Sequence, residues 1–206
     1  MAKVHSLKVG IDFGTTHSSV AWADSTTPND INTIQKWPSG GNKTTEKVPT
    51  ELKYSKNYRD PGYRWGFEVE QEPEKLIWIK LLLEPTQESF PNALLAASAA
   101  LIPKDKEPVD LVTDYLSALK KHIESVFEGH YGKAFMQSTK IEYFLTVPAI
   151  WSDAAKALIL QAALSAGLGT QGSLPLITEL EAAAVYTLKS MKHDLNVTKP
   201  SLFSDI

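Results

Sequence analysis

The chain has 206 residues, 43% hydrophobic and 22% charged, and its 21 Lys and Arg against 24 Asp and Glu leave a formal charge of -3. That composition suits a folded chain with a sizeable core and excludes a largely disordered one, and the absence of a long single-sign block gives no nucleic-acid footprint. Cysteine is absent, which excludes disulfides, thiolate metal sites and thiol catalysis. Met1 to Ser6 lacks the apolar segment of a secretory signal, and the longest nearly apolar run, Ala93 to Ile102, is far short of the ~20 residues that span a bilayer. The expectation is a soluble, cytoplasmic protein.

Leu7 to Asp12 reads as a first strand and Ser18 to Ala23 as a second, joined by a turn at Gly14 into a hairpin. A third short strand is expected over Ile31 to Gln35, followed by a polar loop from Pro38 to Lys47. Glu51 to Ser55 and Arg64 to Phe67 read as strands separated by the turn signal Asp60-Pro61-Gly62. The apolar stretch Lys75 to Leu82 is predicted helical, ending before Pro85, and Ala93 to Leu101 is also predicted helical. Pro103 to Pro108 reads as a charged linker. Val109, Val112, Leu116, Leu119, Ile123 and Val126 recur at three- and four-residue steps, which predicts an amphipathic helix ending near Gly129.

Two strand-to-helix units close the chain. Ile141 to Val147 is a candidate buried strand, after which Ser152 and Asp153 supply N-cap chemistry for a helix reaching Ala166 and Gly167. Leu174 to Thr178 is the next strand and Glu181 to Lys192 its helix, so parallel pairing is expected. The order implies one α/β domain over residues 1–197 with an embedded subdomain between about Trp37 and Pro108, and a disordered tail from 198 to 206.

The chemistry concentrates in Gly10-Ile11-Asp12-Phe13-Gly14-Thr15-Thr16. A carboxylate at the end of an apolar strand can hold the hydration shell of magnesium. Gly14 permits close approach of backbone amides to phosphate, and Thr15 and Thr16 add donors. No Gly-Lys-Ser/Thr follows, so this is not a Walker loop. Taken alone, the heptapeptide favours phosphate binding over its alternative, an ordinary hairpin with a polar turn. The five histidines show no metal-ligand spacing.

This heptapeptide resembles the first phosphate motif of the actin, sugar-kinase and heat-shock chaperone superfamily. Thr146-Val147-Pro148-Ala149-Ile150-Trp151-Ser152-Asp153-Ala154-Ala155-Lys156, Ala166-Gly167-Leu168 and Ile177-Thr178-Glu179-Leu180-Glu181-Ala182-Ala183-Ala184 resemble, in order and spacing, the 70 kDa heat-shock branch. The resemblance runs from Leu7 to about Leu188 and is weak from Ser39 to Pro108. It implies an actin-like ATPase (ribonuclease H-like) lobe: α/β, a mixed sheet with flanking helices and an inserted α/β subdomain. It implies ATP or ADP with Mg2+ as cofactors, Asp12 organising the metal through water, and Gly14, Thr15 and Thr16 holding the β- and γ-phosphates.

By the same resemblance, Lys80 neutralises charge on the γ-phosphoryl group and Glu179 positions the lytic water. The alternatives are a snorkelling lysine on a buried helix and a helix N-cap partner. Pro148 and Lys156 match an allosteric relay in which the family usually has arginine at the second position, and lysine is the poorer fork donor. His17 stands where tyrosine is common, and Leu180 where proline is usual.

The resemblance further implies a second lobe carrying another glycine-rich phosphate hairpin. No glycine follows Gly172, so a truncated product or unspliced gene model with negligible ATPase activity of its own is expected. Two functions compete: an ATP-binding, ATP-hydrolysing chaperone-type protein that meets unfolded clients and co-chaperones in the family context, and a non-enzymatic interaction module. A sugar-kinase-like enzyme is a distant third.

Overall fold

The computed structural model describes residues 6–58, 62–84 and 92–197, and for residues 92, 94 and 189–197 it describes the backbone only. The expected turn at Asp60-Pro61, the predicted helix stop at Pro85 and the tail from 198 onward lie outside the described residues.

Among the described residues, eight strands and five α-helices make a mixed α/β fold. The strands are β1 (Ser6–Phe13), β2 (His17–Asp24), β3 (Asn32–Thr33), β4 (Lys47–Pro49), β5 (Leu52–Tyr54), β6 (Tyr63–Trp65), β7 (Lys140–Val147) and β8 (Leu176–Thr178). The helices are α1 (Asn92–Ala99), α2 (Pro108–Tyr131), α3 (Lys133–Ser138), α4 (Asp153–Ser165) and α5 (Glu179–Val197). The main sheet runs β3-β2-β1-β7-β8, with β4 also paired to β2, and β5 and β6 form a separate two-stranded sheet. The β1–β2 pair is antiparallel, whereas β1, β7 and β8 are mutually parallel, in register at Ile11–Leu145 and Val147–Thr178.

Alternation along β1 assigns the sheet its two faces, because successive side chains of a strand point opposite ways. Leu7, Val9, Ile11 and Phe13 are fully buried, while Gly10 and Asp12 are exposed. The buried face continues through Val20 and Trp22 on β2 and Tyr143, Leu145 and Val147 on β7. It is covered by Leu111, Val112, Tyr115, Leu116, Leu119, Ile123 and Phe127 of α2 and by Ala155, Ile159, Ala162 and Ala163 of α4. The expected α2 stripe is therefore right in period but rotated. Val109 and Val126 are only partly buried, and the aromatic residues Tyr115 and Phe127 sit at its centre. Gly129 lies within α2, which stops at Gly132, where φ is +85°.

Several sequence expectations need correction. The third strand shrinks to two residues, with Ile31 exposed and Ile34 buried. The supposed loop ends in β4, whose Pro49 is tolerated because it lies on a short strand that, among the described residues, pairs with β2 alone. The stretch Lys75 to Leu82 is not an α-helix. Leu76 pairs with Leu52 through two backbone hydrogen bonds of 2.7 and 3.0 Å, Trp78 is left-handed at φ 57°, and only Ile79–Leu83 coils, as a 3-10 turn. A short apolar run does not separate a buried extended segment from a helix by its period. Here Leu76, Ile79, Leu81 and Leu83 are all buried, and the hydroxyl of Ser98 on α1 donates to Ile77 O and accepts from Ile77 N–H.

The helix after β8 starts at Glu179 rather than Glu181. Its first turn is closed by a capping box: Thr178 Oγ1 accepts from the Glu181 N–H, and the Glu181 carboxylate accepts from Thr178 N–H and hydroxyl. Those two bonds from Thr178, the backbone one foremost, hold the Glu181 carboxyl below the usual carboxylate range. No described helix is long and apolar enough to cross a membrane.

Candidate functional site

The three parallel strands β1, β7 and β8 end at one edge of the sheet, the place where open α/β sheets present ligand-binding groups. Asp12 ends its strand there, Thr146 and Pro148 follow at the end of β7, and Glu179 follows β8 directly. A cavity of about 580 Å3 opens along this edge, lined by Asp12, Gly14, Thr15, Thr16, Thr146 and Glu179 together with His17, Lys47 and Ala182.

The hairpin turn is the floor of this cavity. Phe13 pairs with Ser18, so the four residues from Gly14 to His17 make the reversal. The need for glycine is one of space: a Cβ at position 14 would stand 2.2 Å from the carbonyl oxygen of His17. The turn is anchored from beneath by Thr50, whose N–H donates to Thr16 O at 2.9 Å and whose hydroxyl meets the buried hydroxyl of Ser18, also at 2.9 Å. Asp12 is oriented from the neighbouring strand, its Oδ1 accepting from the Thr146 hydroxyl at 2.8 Å.

Lys80 and Glu179, far apart in sequence, meet. The Lys80 ammonium donates to Glu179 Oε1 at 2.8 Å. Lys80 is 1% exposed, and its Nζ lies 5.9 Å from the Phe13 ring centroid and 5.6 Å from that of Trp151. A buried ammonium needs a partner, and Glu179 supplies it while its own side chain stays half exposed toward the cavity. Lys80 stands behind Glu179 and is not part of the cavity lining.

Pro148 and Lys156 lie off the cavity but near each other. The Pro148 carbonyl accepts from Trp151 N–H at 3.4 Å, and the Lys156 ammonium donates to Ala149 O at 3.3 Å. Ser152 caps α4 by accepting from Ala155 N–H, as its sequence position predicts. Ser152 also donates through its N–H and hydroxyl to Glu84, which follows directly on the 3-10 turn bearing Lys80.

Four lining residues were not among the candidate site residues: His17, Lys47, Thr146 and Ala182. Thr146 falls within the quoted Thr146-Val147-Pro148 segment, and strand alternation relative to buried Leu145 and Val147 would have placed it on the open face with Asp12. Lys47 had no local signal, since only the pairing of β4 with Ser19 and Ser18 brings it to the turn.

The donor set suits a hydrated Mg2+ carried by a polyphosphate. Such an ion takes one or two carboxylates, keeps several waters and leaves other positions to phosphate oxygens, and the cavity offers Asp12 and Glu179 beside threonine hydroxyls. Among the described residues no cluster of three His, Asp or Glu side chains forms an all-protein metal cage.

A mixed sheet flanked by helices, with its polar edge formed by the ends of parallel strands, is an architecture compatible with a lobe of an actin-like ATPase. Comparison with known sequences narrows this. Heat shock 70 kDa protein 12A of Homo sapiens is 28% identical over 200 residues, covering 91% of this chain and 29% of that protein. Heat shock 70 kDa protein 12B of Homo sapiens is 27% identical over 204 residues, 92% of this chain and 29% of that protein. A Chaperone protein HscA homolog of Vibrio campbellii is 30% identical over 196 residues, 88% of this chain and 28% of that protein. The chain belongs to the heat shock 70 kDa family. It spans under a third of the length of these relatives. No protein-family model matches it.

Proposed function

We propose that the chain is a nucleotide-binding lobe of a chaperone-type ATPase, taking ATP or ADP with Mg2+ at the open edge of its sheet. The observation that carries this reading is the convergence of Asp12, Gly14, Thr15, Thr16 and Glu179 on one cavity, with Lys80 paired behind Glu179. The backbone amides and hydroxyls of the turn bind phosphate oxygens, as donors fixed in a concave turn do. Asp12, held by the Thr146 hydroxyl, orients water around the cation, and the cation when bound screens the phosphate charge. Glu179 faces the phosphates as acceptor for a water proton, while the Lys80 ammonium holds that carboxylate in place. Pro148 and Lys156 form the relay, with Glu84 and Ser152 tying the Lys80 turn to the start of α4. Residues from about 37 to 108 act as a subdomain inserted in a lobe that spans 1–197, and clients and co-chaperones are partners of the family assembly.

A second reading has one observation in its favour. Ile150, Leu180, Val185 and Leu188 are exposed, and a mainly apolar groove of about 240 Å3 runs over Gly10, Phe144, Ile177 and Ala182 of α5. Such a face suits a protein partner and a non-enzymatic role. Calorimetric titration with Mg-ATP separates the two. Saturable heat that disappears in Asp12→Ala and Thr15→Ala supports the nucleotide reading, whereas no heat from a folded wild-type chain rejects it.

A further inference from the structure

A second cavity, of about 700 Å3, lies between the β5–β6 region and the middle of α2 and shares no lining residue with the phosphate cavity. Its volume is that of small-molecule sites, which run to ~300–1,000 Å3 and combine an apolar floor with a few convergent polar groups. The floor is aromatic. Trp65, 7% exposed, is edge-on to Tyr115 at 5.5 Å and packs with the His122 ring, which also lies 5.3 Å from Trp37. His122 has one nitrogen, Nε2, 2.9 Å from Lys36 O. Burial holds the ring below the usual histidine range, so Nε2 carries the proton and donates while Nδ1 is left as an acceptor.

The rim is cationic. Arg64 and Lys121 line the cavity from opposite walls, and among the described residues neither has a carboxylate partner within ion-pair distance. The Arg64 guanidinium lies 4.7 Å over the Tyr58 ring centroid. Stacking on a ring fixes a guanidinium plane and leaves its N–H edge free for a two-pronged anion. Ser117 and Ser125 on α2 add hydroxyls to the same wall as Lys121. Glu68 is the one carboxylate in the lining, and its Oε2 is committed to the Trp65 N–H at 3.2 Å. The balance is two cations to one engaged anion over an aromatic floor.

We propose that this cavity is a binding site for a small planar anion, an aromatic ring or heterocycle bearing a carboxylate or phosphate, with the ring on Trp65 and the anionic group between Arg64 and Lys121. The site is independent of the nucleotide reading. The test is a 1H–15N NMR titration of the full chain with phenyl phosphate and, separately, benzoate. The expected result is saturable shifts of the Trp65 indole N–H and the backbone amides around Arg64 and Lys121, with affinity at least tenfold weaker in the Arg64→Ala/Lys121→Ala double variant. Both side chains are exposed, so the variant keeps its fold, checked by an unchanged dispersion of the core amides. Saturable shifts confined to Gly14 to Thr16, equal affinity in the double variant, or no saturable shift with either probe would each overturn the proposal.

Discussion

The two faces of the main sheet carry opposite chemistry from one alternating strand. On β1 the odd positions Leu7, Val9, Ile11 and Phe13 have essentially no exposure, and the even positions Gly10 and Asp12 are open. The covered face meets α2 and α4 with apolar and aromatic side chains, so its residues bear on stability. The open face is mixed: Gly10, Asp12, Ser19, Ala21 and Thr146 line it together with the apolar Phe144 and Ile177. The contrast teaches that the proposed phosphate site and core packing are separated by a single residue of register, since a slip by one position would exchange the faces.

The sharpest way to break this comparison is to mutate neighbours. Phe13→Ala should lower unfolding free energy by about 3–5 kcal/mol in urea denaturation, the usual cost of emptying a buried aromatic site. Asp12→Ala, one residue away, should shift it by no more than about 1 kcal/mol while removing Mg-ATP binding. Comparable destabilisation by both would refute the division of faces. Gly14→Ala comes next. Its methyl would collide with backbone rather than a flexible side chain, so a stability loss of about 1–3 kcal/mol is expected from overpacking, together with weakened phosphate binding in the same calorimetric assay.

Smaller effects test the positioning of individual groups. Thr146→Val removes the 2.8 Å bond to Asp12 and, at about 1 kcal/mol for a lost hydrogen bond, should weaken Mg-ATP by roughly fivefold with little change in fold. Lys47→Ala should weaken it by about threefold and flatten its dependence on salt, because an exposed cation contributes screened attraction. A salt dependence identical to wild type would remove Lys47 from the phosphate site.

Much of this was legible in the sequence for definite reasons. The hairpin was readable because β-favouring residues flank a glycine turn, and the β7–α4 unit because Pro148, Ser152 and Asp153 punctuate it. The pattern Thr178-x-x-Glu181 carried the capping-box signature that sets the true start of α5 at Glu179. What escaped was non-local. The Lys75 to Leu82 stretch looks helical until Leu76 finds Leu52 across the fold, and no local pattern announces a bridge of that span. Lys47 reaches the cavity only through pairing with β2. The meeting of Lys80 with Glu179 depends on the 3-10 turn and the end of β8 together. The resemblance named both residues, but neither sequence segment alone discloses the contact.

The central claim is that the edge formed by the ends of β1, β7 and β8 holds the polyphosphate of a nucleotide. The most direct measurement is residue-resolved 1H–15N NMR of the chain titrated with Mg-ATP. The account predicts saturable shifts at the amides of Gly14, Thr15 and Thr16, extending to Thr146 and Glu179 and absent in Asp12→Ala. Shifts that leave those amides unmoved, or a wild-type spectrum unchanged at millimolar Mg-ATP, would contradict it.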